Sequence, residues 1–291
     1  MKTASILGTI AASVLLTLGI QHFILSQNPV PSSVKKETAH ERVMRTNTLR
    51  CAYALYPPML AKDPNSGKLS GVYADVMAEF EVANGLKVVW GPEIDWGDIS
   101  ATLQSGKADA FCAGGLLTPK RGRVIAGSLP VIYTFMEAYA RADDHRFDNN
   151  RDRINQSDVR IEVNAGDISE ELAQRIFPQA QRVYKSALGD ESQLFLDVAS
   201  GKADVTLSGP SNLSVYNKNN SAMALRKIDL PNPLMPFQSV ISVDINEQAL
   251  LHLINATVRN LIDVGSVERI VKLHTGADYG TAYIAPKPQT N

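Results

Sequence analysis

The hexapeptide SGKADA at residues 105–110 recurs almost unchanged as SGKADV at residues 200–205. Each copy follows a short segment with helical apolar spacing and precedes a short apolar segment typical of a buried strand. Gly106 and Gly201 stand where a glycine ends a helix, because glycine readily takes the left-handed backbone conformation that other residues resist. The repeated unit is therefore predicted to be a helix, a tight turn and a buried strand.

A glycine also follows each predicted strand, Gly114 in the first copy and Gly209 in the second. In open α/β sheets, ligands bind at the carboxyl ends of the strands, where glycine lets a ligand approach the backbone closely. Two such units predict two similar α/β lobes with a ligand cleft between them. For the repeat taken alone, the alternative is a chance match between two ordinary helix-to-strand turns.

The rest of the chain fits the same plan of alternating strands and helices. Further strands are predicted at residues 49–55, 86–90, 159–163, 181–184 and 239–243. Further helices are predicted at residues 72–83, 169–176, 248–262 and 267–273. This alternation favours mostly parallel sheets.

The composition is that of a soluble globular protein with one large domain or two ordinary ones: 291 residues, 44% hydrophobic and 20% charged. A formal net charge of -1, with acidic and basic residues interleaved, excludes the large positive field that nucleic-acid binding requires. The sequence contains no nucleophile elbow, phosphate loop or histidine pair at metal spacing. We therefore predict no catalytic residue, no metal and no cofactor.

The N-terminus is the exception to this composition. Residues 4–25 are apolar apart from small residues and two polar ones, and they follow Lys2. About 20 apolar residues are enough to cross a bilayer, and the early lysine would keep the N-terminus inside. No clear small-x-small cleavage site follows, so both a cleaved export signal and a retained membrane anchor are open. The polar residues 26–46 predict a flexible tether.

Cys51 and Cys112 are the two cysteines of the chain, and each lies in an apolar segment predicted as a central strand. Two cysteines of an exported protein can form a disulfide. A small buried hydrophobic residue is the other common role of cysteine, and we favour free thiols on that ground.

Several short motifs occur in an order and spacing shared with a known family. They are LR at 49–50 ahead of YPP at 56–58, GKLSGV at 67–72 ahead of Asp75, GKAD at 106–109, TPKR at 118–121 and GSVERI at 265–270. From residue 48 to residue 276 the chain resembles the family 3 extracellular solute-binding proteins, the periplasmic receptors of polar amino acid ABC transporters. The resemblance implies a two-lobed periplasmic-binding-protein-like fold of type II, with a hinge of two strands near residues 132–140 and 236–242.

The implied division places residues 47–133 and 241–276 in lobe 1, residues 134–240 in lobe 2 and residues 277–291 in a loose tail. Such a receptor captures a small, polar, carboxylate-bearing ligand, resembling an amino acid, and delivers it to an ABC permease without catalysis. It would lie in the periplasm or be anchored in the cytoplasmic membrane facing outward. The alternatives are a membrane-tethered sensor or accessory protein with a divergent site and, less favoured, a lyase or dehydratase on the same scaffold.

In this family the arginine of the Thr-Pro-x-Arg segment holds the ligand carboxylate, so the resemblance assigns that role to Arg121. A planar guanidinium suits a two-pronged grip on a carboxylate, whereas a helix cap or a surface position is the alternative role. The predicted ligand-binding set is Arg121, Gly114, Leu116, Tyr53, Tyr56, Asn164, Asp167, Ser169 and Ser208.

Three positions depart from the family pattern. Gly209 stands where an acid usually grips the ligand amine, and Leu116 replaces a hydroxyl residue. Asp167 lies in the segment 166–169 that corresponds to an anion nest, where it would repel a carboxylate. We interpret Asp167 either as a partner for a cationic ligand group or as a helix N-cap, and prefer the cap. These departures make the sensor a serious rival to the receptor.

Overall fold

A computed structural model describes residues 37–186, 191–231 and 234–275. The predicted signal or anchor at residues 1–25 and the predicted tail at residues 277–291 lie outside the described residues. Within the described part of the chain, no helix combines the length and the apolar character needed to cross a bilayer.

The strands and helices alternate along most of the chain. The strands are β1 Thr48–Tyr53, β2 Ala61–Lys62, β3 Leu69–Ser70, β4 Lys87–Glu93, β5 Ala110–Leu116, β6 Ile125–Gly127, β7 Ile132–Arg141, β8 Arg160–Val163, β9 Gln181–Tyr184, β10 Val205–Ser208, β11 Leu225–Lys227 and β12 Met235–Asp244. The helices are α1 Ala39–Thr46, α2 Val72–Asn84, α3 Ile99–Gln104, α4 Arg151–Ile154, α5 Ile168–Ile176, α6 Ser192–Ala199, α7 Pro210–Asn219, α8 Gln248–Asp263 and α9 Ser266–Thr275.

Two long strands, β7 and β12, connect two sheets. In one sheet β1 is parallel to β4 and β5, and the second half of β12 is antiparallel to β5. In the other sheet β8 is parallel to β9 and β10, and β10 is antiparallel to the second half of β7. The first halves of β7 and β12 pair with each other, so that the ladder runs β4-β1-β5-β12-β7-β10-β8-β9. These are the two strands that the sequence predicted to cross between the lobes.

The buried side chains form separate cores on the two sides of this crossing. One core contains Phe80 and Phe111 and unites β1, β5, α2, α8 and α9. On the other side Phe147 and Phe177 belong to one cluster and Phe195 to a second. The described core residues thus divide into clusters on either side of the crossing strands. The predicted boundaries between lobe 1 and lobe 2, at residues 133–134 and 240–241, fall within β7 and β12. This division remains a prediction.

Part of the predicted tether is folded. Thr38 caps α1 through a capping box, and Val43 on that helix is completely buried. From the same helix, Arg42 donates a hydrogen bond to the carboxylate of Asp109 over 3.1 Å. The prediction of a flexible tether through residue 46 was therefore wrong for α1. Val43, the Arg42–Asp109 ion pair and hydrogen bonds from the helix N-terminus to Glu247 hold this helix, and none of them produces a local apolar period.

Cys51 and Cys112 form a disulfide, so the prediction of free thiols was wrong. β1 and β5 are neighbouring strands, and their register sets Cys51 level with Ala110. The two cysteine Cα atoms are 5.4 Å apart, which is a normal separation for a bridge. The sequence could not show this contact, because 61 positions separate the two cysteines.

Candidate functional site

A cavity of about 80 Å³ lies where the two lobes face each other beside the crossing strands. Lobe 1 contributes Tyr56 and Trp96 to its wall, lobe 2 contributes Leu194 and Ser208, and the crossing strand β12 contributes Phe237. The carboxyl ends of β5 and β10 both reach this cavity. This is where the repeated strand-and-glycine units predicted a ligand cleft.

The structure brings six of the nine predicted ligand-binding residues to this wall: Tyr56, Gly114, Leu116, Arg121, Asp167 and Ser208. The other three, Tyr53, Asn164 and Ser169, fall outside it. The Tyr53 hydroxyl donates to Glu93 Oε2 over 3.2 Å. The Ser169 hydroxyl accepts the backbone N–H of Asn164 at 3.1 Å and so supports the loop before α5.

The side chains packed behind the cavity leave no room for a Cβ atom at position 114, so a glycine is required there. Its φ is +76°, and a Cβ atom at this position would stand only 2.1 Å from the Tyr73 hydroxyl and 2.4 Å from Ser239 Oγ. Those two side chains are hydrogen-bonded to each other at 2.6 Å, and Ser239 Oγ donates to the Gly114 carbonyl at 2.7 Å. The close approach that the sequence assigned to a ligand is thus made by Tyr73 and Ser239.

Tyr56 and Trp96 form an aromatic corner of the cavity. Their rings meet edge to face with centroids 5.0 Å apart. The Tyr56 hydroxyl donates to the Ala113 carbonyl, which fixes the orientation of the ring. Burial, and then the neighbouring Tyr73, raise the pKa of Tyr56 well above its ordinary value, so the phenol stays neutral and remains a donor.

Arg121 is buried, with 5% of its side chain exposed, and its guanidinium is held by backbone carbonyls. Nη1 donates to the Leu116 carbonyl at 3.1 Å, and Nη2 donates to the Trp96 carbonyl at 2.6 Å. Nη2 also reaches the Gly166 carbonyl of the other lobe at 3.4 Å. The side chain therefore points into the gap between the lobes and is not a surface arginine.

Asp167 faces this guanidinium from lobe 2, with its Oδ1 3.5 Å from Arg121 Nη2. Its Oδ2 accepts from the backbone N–H of Ser169 at 3.5 Å, which makes Asp167 the N-cap of α5. Burial raises the pKa of Asp167, and the positive charge of Arg121 opposes that rise. The cap interpretation is confirmed, and the cation that Asp167 meets in this structure is Arg121.

A second set of contacts joins the lobes outside the cavity. Asn164 Nδ2 donates to Asp95 Oδ1 at 2.7 Å, and Lys185 Nζ lies 3.1 Å from Asp95 Oδ2. Burial alone would raise the pKa of Asp95, but the hydrogen bonds from Asn164, the Gly97 N–H and Lys185 outweigh it, so the pKa is lowered. Thr118 Oγ1 also donates to Glu171 Oε1 at 3.0 Å. We define these contacts as the closure seam.

Sequence reasoning missed the loop that supplies much of this seam. Asp95, Trp96 and Gly97 lie one residue beyond the end of β4, and a Cβ atom on Gly97 would stand 2.6 Å from the Ala165 carbonyl of the other lobe. A signal was available, since this loop lies at the carboxyl end of a parallel strand, where ligands gather. The aromatic residue and the glycine in the loop could have been singled out on that basis.

Two α/β lobes, two connecting strands and a cavity between the lobes define the class of two-lobed periplasmic binding proteins. The chain belongs to the bacterial extracellular solute-binding proteins, family 3, whose family model matches residues 49–277. The family and the two-lobed fold predicted from the sequence are thereby confirmed. Among curated proteins, none matches the chain significantly.

Solved structures agree with this fold. An ancestral amino acid-binding protein, described as a precursor of cyclohexadienyl dehydratase, is 22% identical with a TM-score of 0.68, and the match covers 80% of this chain and 98% of that one. A mutant arginine-binding protein from T. maritima is 20% identical with a TM-score of 0.69, covering 81% and 99%. A substrate-binding protein of an amino acid ABC transporter from Streptococcus pneumoniae, bound to L-arginine, is 18% identical with a TM-score of 0.69, covering 80% and 97%.

Proposed function

We propose that this protein captures a small amino-acid-like solute by closing its two lobes and delivers it to an ABC permease. The observation that carries the proposal is the cavity, because its wall is drawn from both lobes and from the crossing strands. A ligand in this position contacts both lobes only when they are together. Family membership and the amino acid ligands named for the similar structures support the same function.

The closure seam supplies part of the free energy that holds the lobes together. Each hydrogen bond across it, such as Asn164 to Asp95, contributes about 0.5–1.5 kcal/mol net, since the same groups bond to water when the lobes are apart. A ligand that touches both lobes adds free energy to the closed state alone and shifts the population toward it. The closed shape is then the form that a permease can recognise.

Export agrees with two independent features. The family is extracellular, and the chain contains a buried disulfide of the kind that persists in oxidising compartments. Attachment to the membrane through residues 1–25 stays a prediction, since these residues lie outside the described part of the chain.

A lyase or dehydratase on this scaffold would need a general acid or base facing the ligand. Asp167 is the candidate for that role that the sequence singled out. Its two oxygens face Arg121 and the amino end of α5, so it is held as a structural group. We therefore favour a binding function for this cleft over a reaction that uses Asp167 as acid or base.

Thermal unfolding of the full-length protein in mild detergent tests the proposal. The panel consists of the common amino acids together with their amides and the corresponding amines. A ligand present at 100 times its Kd stabilises the folded state by about 2.7 kcal/mol, which corresponds to a rise in Tm of about 5–10 °C for a domain of this size. A panel without any such rise would overturn the receptor function.

A further inference from the structure

We infer that the ligand of this cleft has an apolar body with an amine, amide or hydroxyl head and no carboxylate. In this inference, Asp167 is the residue that excludes acidic ligands. The inference rests on the proposed function and narrows the ligand class. It departs from the carboxylate-bearing ligand that the sequence predicted, because the surroundings of Arg121 were not visible in the sequence.

The first support is that the positive charge of Arg121 is already opposed within the protein. Three backbone carbonyls accept from the guanidinium, and the carboxylate of Asp167 lies 3.5 Å from Nη2. The Asp167 carboxylate thus lies against Nη2, the same nitrogen that donates to the Trp96 and Gly166 carbonyls. A ligand acid would have to displace Asp167 from Arg121 or bind beside it.

The second support is that Asp167 is not free to move aside. Its Oδ2 accepts from the backbone N–H and the hydroxyl of Ser169, at 3.5 and 3.3 Å, and so caps α5. Moving the carboxylate away would leave the amino end of that helix without its cap. A ligand carboxylate placed beside Arg121 would therefore face a fixed like charge in a site that is largely shielded from water.

The third support is the remaining wall. Among the described residues that line the cavity, the only charged side chain besides Arg121 and Asp167 is another acid, Glu191. Among the described lining residues, no second basic side chain is therefore present to receive a ligand carboxylate.

The rest of the lining suits an apolar body. Leu116, Leu207 and Met136 contribute apolar surface, and Tyr56 and Trp96 contribute the aromatic corner. Neutral hydrogen-bonding groups stand at the end of β10 and the start of α7, where Ser208, Ser211 and Asn212 line the cavity. Asn212 Nδ2 donates to Ser208 Oγ at 2.9 Å, which leaves further donors and acceptors for a neutral or amine head.

Matched ligands differing only at the carboxylate test the inference. One series is L-leucine, L-leucinamide, L-leucinol and 3-methylbutylamine, and a second is L-phenylalanine, L-phenylalaninamide, L-phenylalaninol and 2-phenylethylamine. Isothermal titration on the full-length protein measures each Kd. We expect at least one carboxylate-free member to bind at least tenfold more tightly than its acid. If the acid binds as tightly as its partners or more tightly, the inference is wrong.

Two variants isolate Asp167. Asp167→Asn keeps an oxygen that caps α5 and removes the charge, so we expect the preference against the acid to shrink at least tenfold. Asp167→Ser retains a capping hydroxyl and is expected to do the same if the asparagine variant folds poorly. Asp95→Asn is the matched control, because it weakens the closure seam and should lower every affinity alike, without changing the preference.

The outcomes separate this inference from the proposed function. Failure of every ligand in both series and in the wider panel would overturn the receptor function. Tight binding of acids by the wild type, or an unchanged preference in Asp167→Asn and Asp167→Ser, would overturn the ligand class and leave the receptor function standing.

Discussion

Asp109 binds Arg50 through both the backbone and the side chain of the arginine. Its carboxylate accepts the Arg50 backbone N–H at 2.7 Å and Nη2 of the guanidinium at 2.8 Å. The same guanidinium donates to the Gly106 carbonyl at 2.9 Å. The first copy of the repeated hexapeptide therefore ties the turn before β5 to the neighbouring strand β1.

The second copy makes the same arrangement in lobe 2. Asp204 accepts the Arg160 backbone N–H at 3.0 Å and Nε at 3.1 Å, and Arg160 Nη2 donates to the Gly201 carbonyl at 2.9 Å. Burial would raise the pKa of Asp204, but the hydrogen bonds from Arg160 and Arg146 hold it below its ordinary value. The repeat thus marks equivalent structural ties in the two lobes.

We predict that Asp109→Asn and Asp204→Asn each lower the free energy of unfolding by about 1–3 kcal/mol, since each removes charge-assisted hydrogen bonds from a buried site. The two losses should add within about 0.5 kcal/mol because they lie in different lobes. Urea denaturation measures them, with the exposed Asp143→Asn as the control. Losses no larger than that of the control would show that the repeat does not stabilise the lobes.

This tie shows what the sequence could and could not predict about the fold. The helix, the glycine stop and the apolar strand are local patterns, so the repeat predicted the two lobes from a few residues. Arg50 and Asp109 are 59 positions apart, and nothing local to either residue shows the other. The disulfide between Cys51 and Cys112 escaped prediction for the same reason.

The candidate site shows the same difference between local patterns, which could be predicted, and long-range contacts, which could not. The order of elements placed the end of β5 in the cleft, and the resemblance to the family placed Arg121 there; both line the cavity. The contact of Arg121 with Trp96 was not predicted because 25 positions separate the two residues, and its contact with Asp167 depends on how the lobes meet. Asn164 was expected to face a ligand, but its side chain bonds to Asp95 in the closure seam.

Gly97→Ala tests closure by steric means. The added Cβ atom would stand 2.6 Å from the Ala165 carbonyl, which is closer than real contacts of this kind allow, so the lobes should be held apart. We expect at least a tenfold loss of affinity for any ligand identified and a larger radius of gyration in solution scattering, with little change in the stability of the ligand-free protein. Gly122→Ala is the control, because a Cβ atom there meets open space. Equal affinities of the two variants would contradict closure at this seam.

Glu162 makes the stability depend on pH. Its side chain is fully buried in β8, and Lys202 Nζ is 3.8 Å from its Oε1. Burial, and then the neighbouring Asp197, raise the pKa of Glu162 from 4.5 to about 8. The pKa of Asp197 is lowered, because hydrogen bonds from Lys202, Glu162 and Gln193 outweigh its burial. The proton of this pair therefore resides on Glu162.

A raised pKa in the folded state means that the folded protein binds more protons than the unfolded chain between pH 4.5 and about pH 8. The contribution of Glu162 to the free energy of unfolding is fully present below pH 4.5 and is lost as the pH rises through about 8. We expect Glu162→Gln, which resembles the protonated acid, to remove about 1–3 kcal/mol of the decline in unfolding free energy between pH 5 and pH 8. Urea titrations at several pH values measure the difference. Identical pH profiles of the variant and the wild type would show that Glu162 is ionised in the folded protein.

The disulfide should stabilise lobe 1 by restricting its unfolded chain. It joins residues 61 positions apart, and closing a loop of that length contributes about 2–4 kcal/mol. Both cysteines are completely buried, so a reductant must act on the unfolded chain, and samples need incubation with dithiothreitol in urea before refolding. We expect the reduced protein to unfold at a lower urea concentration than the oxidised protein. The double variant Cys51→Ala, Cys112→Ala should have the same unfolding midpoint with and without dithiothreitol. Equal midpoints for the oxidised and reduced wild type would mean that the packing of β1 against β5, and not the covalent bond, determines the stability of this sheet.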